Sequence, residues 1–184
     1  MDIGFVARKA VHISAPLFLV YYFLPTPLWP GGISRESGLL LALALAMAFE
    51  LSRLVLGFRV LGMREYEADQ MSAGAWAAIA LTFAFIFFPL EMAAPVIIGM
   101  ALVDPVISVV RNTRWYPWLP YLIHAAIMIT VLSLLLQLDL RIVLVSLATS
   151  AVAIAAEGIK TRYVDDDFLM IALPLIGMAV LLSV

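Results

Sequence analysis

Seven apolar stretches dominate this chain, each near the ~20 residues that a helix needs to cross the hydrocarbon of a bilayer. They run Lys9–Leu24, Ser37–Leu56, Ser72–Phe88, Ala93–Val110, Leu119–Gln137, Ile142–Glu157 and Phe168–Leu182. Pro25, Pro27 and Pro30 with Gly31 and Gly32 close the first, Pro89 the third, and Pro117 with Pro120 separates the fourth from the fifth. At 65% hydrophobic and 13% charged residues, with a mean hydropathy of +1.08, the chain is excluded from the ordinary soluble domains. The expected fold is all-α: a polytopic transmembrane helical bundle of about seven spans, forming one integral membrane domain over residues 1–184.

The charges then supply an orientation. With the N-terminus cytoplasmic, Arg8, Lys9, Arg53, Arg59, Arg64, Arg111, Arg114, Lys160 and Arg162 all fall inside, 9 of the 11 basic residues. Arg35 and Arg141 alone fall outside, so the positive-inside bias favours that topology. Asp2 in the leading segment, and no small-residue cleavage site before Pro25, make the first stretch a retained helix rather than a signal peptide. The absence of cysteine excludes disulfides, thiolate metal sites and a cysteine nucleophile. No basic run suggests nucleic acid as a partner.

Ten of the thirteen acids also fall on or near the inner side, and Glu50, Asp104 and Glu157 lie within apolar stretches close to their cytoplasmic ends. An intramembrane carboxylate costs several kcal/mol unless it meets a partner or a wet cavity. Three at one depth suggest one cavity. Arg8 and Lys9 precede His12 by four and three residues, which sets them on a common helical face; they either anchor the helix among headgroups or hold phosphate oxygens beside a proton-accepting imidazole. Glu50 and Arg53, at i and i+3, form either a structural ion pair or part of a ligand site. Between them and the third stretch, the loop holding Arg64, Glu65, Glu67 and Asp69 reads as solvated, and Ser72, Ala73, Gly74 and Ala75 permit close approach of a helix or ligand.

Asp104 is followed by Pro105, which loosens its helix, a setting in which membrane proteins bind ions or polar ligands. Asp165, Asp166 and Asp167 form either a magnesium-binding set or a solvated cap for the last helix. His124 with Trp115, Tyr116, Trp118 and Tyr121 reads as an interfacial aromatic belt.

In this order the motifs resemble the CTP-dependent lipid-alcohol kinases, a family that includes dolichol kinase, phytol kinase and the yeast-type diacylglycerol kinase and is related to the phosphatidate cytidylyltransferases. The resemblance is carried by Arg8-Lys9-Ala10-Val11-His12, Glu50 with Arg53, Arg64-Glu65 through Ser72-Ala73-Gly74-Ala75-Trp76, Asp104 with Ser108, and Glu157 followed by Val164-Asp165-Asp166-Asp167 and Pro174. It implies phosphoryl transfer from CTP, with Mg²⁺ or another divalent cation, to the hydroxyl of a membrane lipid alcohol at the cytoplasmic face. On that resemblance His12, Glu50 and Asp104 are catalytic candidates, and Arg8, Lys9, Arg53, Arg64 and Ser108 are nucleotide- or phosphate-binding candidates. Asp104, Asp165 and Asp166 would hold the metal, with Glu67, Gly74, Glu157 and Asp167 as further site residues. The expected partners are the lipid alcohol and the nucleotide, with a homodimer left open.

The chain departs from the family around Asp104, where Val103 stands in place of a glycine and Arg111 to Tyr116 occupy a region that usually carries glycines and a lysine. Asp167 replaces a common asparagine. Those departures favour a lipid-binding paralogue or assembly subunit without turnover as a second reading, and a cytidylyltransferase-like enzyme is a rival within the same class. A transporter is disfavoured because the outer halves of the spans are almost wholly apolar.

Overall fold

The computed structural model describes residues 3–60, 62–159 and 164–183, excluding the side chains of residues 3, 5–8 and 66. The described residues are helical and contain no strand. The first helix, α1 (Ile3–Ser14), gives way at Ala15–Phe23 to a 3-10 helix. Pro16 lacks the N–H that would close an α-helical bond to the carbonyl of His12, which accounts for the change of pitch there. At about 1.5 and 2.0 Å per residue, the two segments together trace about 36 Å of helix.

The remaining helices are α2 (Arg35–Leu56), α3 (Ala73–Phe87), α4 (Leu90–Val110), α5 (Trp118–Leu135), α6 (Leu140–Glu157) and α7 (Asp166–Ser183), with a short 3-10 turn at Glu65–Asp69. Their starts follow local chemistry: the side chains of Ser34, Ser72 and Asp139 accept hydrogen bonds from the backbone N–H groups of Ser37, Ala75 and Ile142. Gly57, at a φ of 68°, ends α2 in the left-handed conformation that glycine adopts without strain.

Five helices, α2 and α4 to α7, are long and apolar enough to cross a membrane. Their length and composition suit an integral membrane protein. The expectation of seven equivalent spans is met only in part, because the first stretch is a compound of two helix types and α3 has 15 residues. That length gives α3 about 22 Å, short of the ~30 Å hydrocarbon thickness.

Helix α4 is the centre of the bundle, packed against α1, the first 3-10 segment, α5 and α7. Its Val96, Ile97, Ala101, Val103 and Ile107 are wholly buried, as are Met128 and Leu132 of α5 and Ile171 and Leu175 of α7. Helix α6 lies between α5 and α7. By contrast α2 packs mainly on α3, and its Leu41, Leu45 and Val55 are exposed, as a lipid-facing surface requires. The space between α2 and the α1 segment is the opening in which the site forms.

Candidate functional site

The end of the bundle made by the C-terminal halves of α1, α2 and α4 and the N-terminal turns of α3 and α7 collects most of the charged candidates. Lys9 Nζ lies 2.8 Å from Asp104 Oδ2 and 3.5 Å from the Asp104 carbonyl oxygen. This contact ties α1 to the α4 turn that Pro105 loosens. One helical turn beyond Lys9, His12 Nε2 lies 3.4 Å from Asp167 Oδ2 on α7. Arg64 is in electrostatic reach of both His12 and Asp167. Asp165, Asp166 and Asp167 each present a carboxylate oxygen within 4.8 Å of the others.

These groups do not balance. Among the described side chains, the carboxylates of Asp104, Asp165, Asp166 and Asp167 face two permanent cations, Lys9 and Arg64, and one imidazole. Burial, a hydrogen bond with Asp166 and the charge of Asp167 push the Asp165 carboxyl up to about 7. The donor set is all oxygen, carboxylate-rich and closely spaced, which fits a hard divalent cation such as magnesium.

A second charged group has the opposite character. Glu50 on α2 receives Arg53 Nε at 3.0 Å on Oε2 and an Arg53 terminal nitrogen at 2.7 Å on Oε1. The N–H of Ser72 donates to Oε1 at 2.6 Å and its hydroxyl to Oε2 at 2.9 Å. Four donors therefore saturate the carboxylate. Arg53, 1% exposed, also donates to the carbonyl of Gln70 at 2.7 Å. The unit clamps α2 to the start of α3, the architectural alternative for this pair, and leaves Glu50 with no lone pair free for a base.

Between the two groups lies a cavity of about 460 Å³. It is lined by His12, Asp167, Glu50, Arg53, Glu67, Ser72 and Gly74, and Val11, Phe18, Phe49 and Leu81 contribute apolar wall. Phe18 on the first 3-10 segment and Phe49 on α2 both line the cavity and are 55% and 54% exposed. A Cβ added at Gly74 would find nothing nearer than the Ser72 hydroxyl at 3.9 Å, so this glycine leaves room in the cavity wall. Glu67 is 3% exposed; its Oε2 accepts the Arg64 N–H at 3.2 Å, and its Oε1 is buried without a partner.

Two candidates lie elsewhere. Ser108 is exposed and donates its hydroxyl to the carbonyl of Pro105 at 2.7 Å. Glu157, 2% exposed, is paired with Arg111 and accepts the Tyr116 hydroxyl at 2.9 Å, a strut tying the α4–α5 connection to the end of α6. The side chain of Arg8 lies outside the described residues, as do Lys160 and Arg162. The aromatic belt expected around His124 is corrected: Trp115 and Trp118 are exposed, but Tyr116 serves Glu157, and His124 is wholly buried with Nδ1 2.9 Å from the Ser150 hydroxyl. The sequence did not point to Gln70 and Ser72 as partners of the Glu50–Arg53 pair or to Arg111 as the partner of Glu157. Ser72 alone carried a signal, its N-cap position before an apolar run.

The chain matches no protein-family model, no curated protein and no solved structure.

Proposed function

We propose that this protein is a seven-span membrane enzyme, N-terminus cytoplasmic, that transfers a phosphoryl group from CTP to a lipid alcohol at the cytoplasmic face. The observation that supports it most is the acid-rich cluster of Asp165, Asp166 and Asp167 beside a largely apolar cavity that Asp167 also lines. A divalent cation bound with a nucleotide triphosphate would lie between these carboxylates and the phosphate oxygens, and a lipid tail suits the apolar wall.

The γ-phosphorus gains a bond to the alcohol oxygen and loses its bond to the β–γ bridging oxygen; CDP leaves, and the alcohol proton passes to an acceptor in the cavity. Magnesium, when bound, supplies charge neutralisation on the transferring phosphates. Asp165, Asp166 and Asp167 would hold it, with Asp104, paired with Lys9, beside Asp167. Lys9 and Arg64 add fixed positive charge for the phosphate oxygens. His12, held by Asp167, orients the reacting groups from the cavity wall. The Glu50–Arg53 clamp fixes that wall rather than reacting.

The test is transfer of γ-labelled phosphate from CTP to a panel of lipid alcohols by the purified chain in lipid nanodiscs. Labelled lipid with release of CDP is expected. Pyrophosphate release would instead identify a cytidylyltransferase, and alcohol binding without any transfer would identify a non-catalytic lipid-binding subunit.

A further inference from the structure

We infer that the cavity gauges the length of its lipid: it takes a single-chain alcohol of about ten to fifteen carbons, and the stacked rings of Tyr21 and Phe85 set the limit. The inference rests on the lipid-alcohol reading above and narrows the substrate which that reading leaves open.

The cavity has a charged end and an apolar end. His12, Glu50, Arg53, Ser72 and Asp167 in its wall come from the same ends of their helices as the acid cluster, so an alcohol's hydroxyl belongs there and its chain points away. Two stripes of wall follow that chain. On the first 3-10 segment, where residues three apart eclipse, Ala15 and Phe18 line the cavity and Tyr21 comes next. On α3, Ala77 and Leu81 line it and Phe85 comes next, four residues on and on the same face. Tyr21 and Phe85 do not line the cavity; each is 6% exposed, and they stack with ring centroids 5.0 Å apart. The two stripes thus run from open space into a closed aromatic pair. Tyr22 braces that pair edge-on, 5.4 Å from Phe85, with its hydroxyl donating to the Phe88 carbonyl at 2.7 Å, and the Arg35 guanidinium lies 4.8 Å over the Tyr21 ring. Buried Met100 and Ile171 wall the cavity toward α4 and α7.

Length and volume bracket the chain that fits. The wall spans about 10 Å of α2 from Arg53 to Ala46 and about 12 Å of α3 from Ala73 to Leu81. An extended chain advances about 1.2 Å per bond, so about ten carbons cover that depth. A volume of about 460 Å³, at the ~30 Å³ that a water-sized group occupies in a liquid, holds about fifteen. A diacylglycerol with two full tails and a polyprenol of many units both exceed it. Inside a bilayer a tail gains little by exchanging one apolar surrounding for another, so fit decides. An overlong chain must fold back or displace packed wall.

The experiment is displacement of a fluorescent alcohol of three isoprene units from the full chain in nanodiscs, without CTP or magnesium. The competitors are isoprenoid alcohols of one, two, three, four and eleven units and a diacylglycerol, each at equal mole fraction in the lipid. Binding is expected to be tightest at two and three units, and on the order of tenfold weaker at eleven units and for the diacylglycerol. Ala77→Phe fills the cavity short of Leu81 and shifts the optimum to one or two units; Phe85→Ala opens the end stop and shifts it to four. Equal binding of three and eleven units by the unmodified protein overturns the gauge, and needs no variant that could fail to fold. A folded Ala77→Phe protein with the order unchanged overturns it too. Length-ordered binding without label transfer from CTP sinks the kinase reading and leaves the gauge standing; transfer from CTP that is indifferent to length does the reverse.

Discussion

The Glu50–Arg53 unit and the acid-rich cluster of Asp104, Asp165, Asp166 and Asp167 flank the same cavity and look alike in sequence, as charges placed in or beside apolar helices. Their surroundings separate them. Glu50 meets four donors within 3.0 Å, two of them from one guanidinium, so its charge is compensated locally. Among the described side chains the four aspartates meet Lys9, Arg64 and His12, and Asp165 holds a proton up to about 7. A saturated pair is a strut; an undersupplied group is a place for a cation. Charge balance, more than depth in the bilayer, separates architecture from chemistry here.

The largest effect that would break this contrast lies in the strut. Arg53→Met leaves Glu50, 5% exposed, with an uncompensated charge, and should cost about 3–5 kcal/mol of stability. The loss is read by thermal denaturation in detergent, and the double substitution Glu50→Leu with Arg53→Met should be milder than the single one. A single variant as stable as the parent would mean that the pair is no clamp.

The cluster should respond to cations instead. Saturating magnesium at ~100 times its Kd should stabilise the folded protein by about 2.7 kcal/mol. The pH dependence has a definite sign. Because the folded state raises Asp165 above its ordinary 3.8, its proton is favourable to folding at low pH, and that contribution is lost as pH rises through about 7. Without magnesium, stability should therefore fall over that range, and the magnesium increment should be greatest above it. Thermal scans across pH with and without the metal check this; a metal increment independent of pH would argue against Asp165 as a ligand.

Glu157 gives a third comparison, since the sequence groups it with Asp104 while the structure makes it a strut. Arg111→Gln should cost about 1–3 kcal/mol in stability while the folded fraction keeps its full specific activity. The smallest effect is at Ser108, where alanine should change stability by no more than about 0.5 kcal/mol and leave phosphoryl transfer intact. A large activity loss there would return Ser108 to the site.

Much of the helix layout was legible because prolines, glycines and N-cap residues punctuate long apolar runs. The compound first helix was not, since nothing in its apolar run before Pro16 announces a 3-10 continuation of nine residues. The Glu50–Arg53 pair was legible from spacing. Lys9–Asp104 was not, because the partners are 95 positions apart and only the packing of α1 on α4 joins them. His124 misled for a related reason: surrounded by aromatic residues in sequence, it turns inward on α5 and Gly99 gives it room. The burial of Glu67 inside a loop of charged residues was hidden because composition alone made that loop solvated.

The most direct measurement is phosphoryl transfer from γ-labelled CTP to a lipid alcohol by the parent chain and by Asp104→Asn, both in nanodiscs with magnesium. The acid cluster as a catalytic centre requires transfer by the parent and a loss on the order of 100-fold or more in the variant, with the fold unchanged. Equal transfer by the two proteins, or none by either under any alcohol, would contradict it.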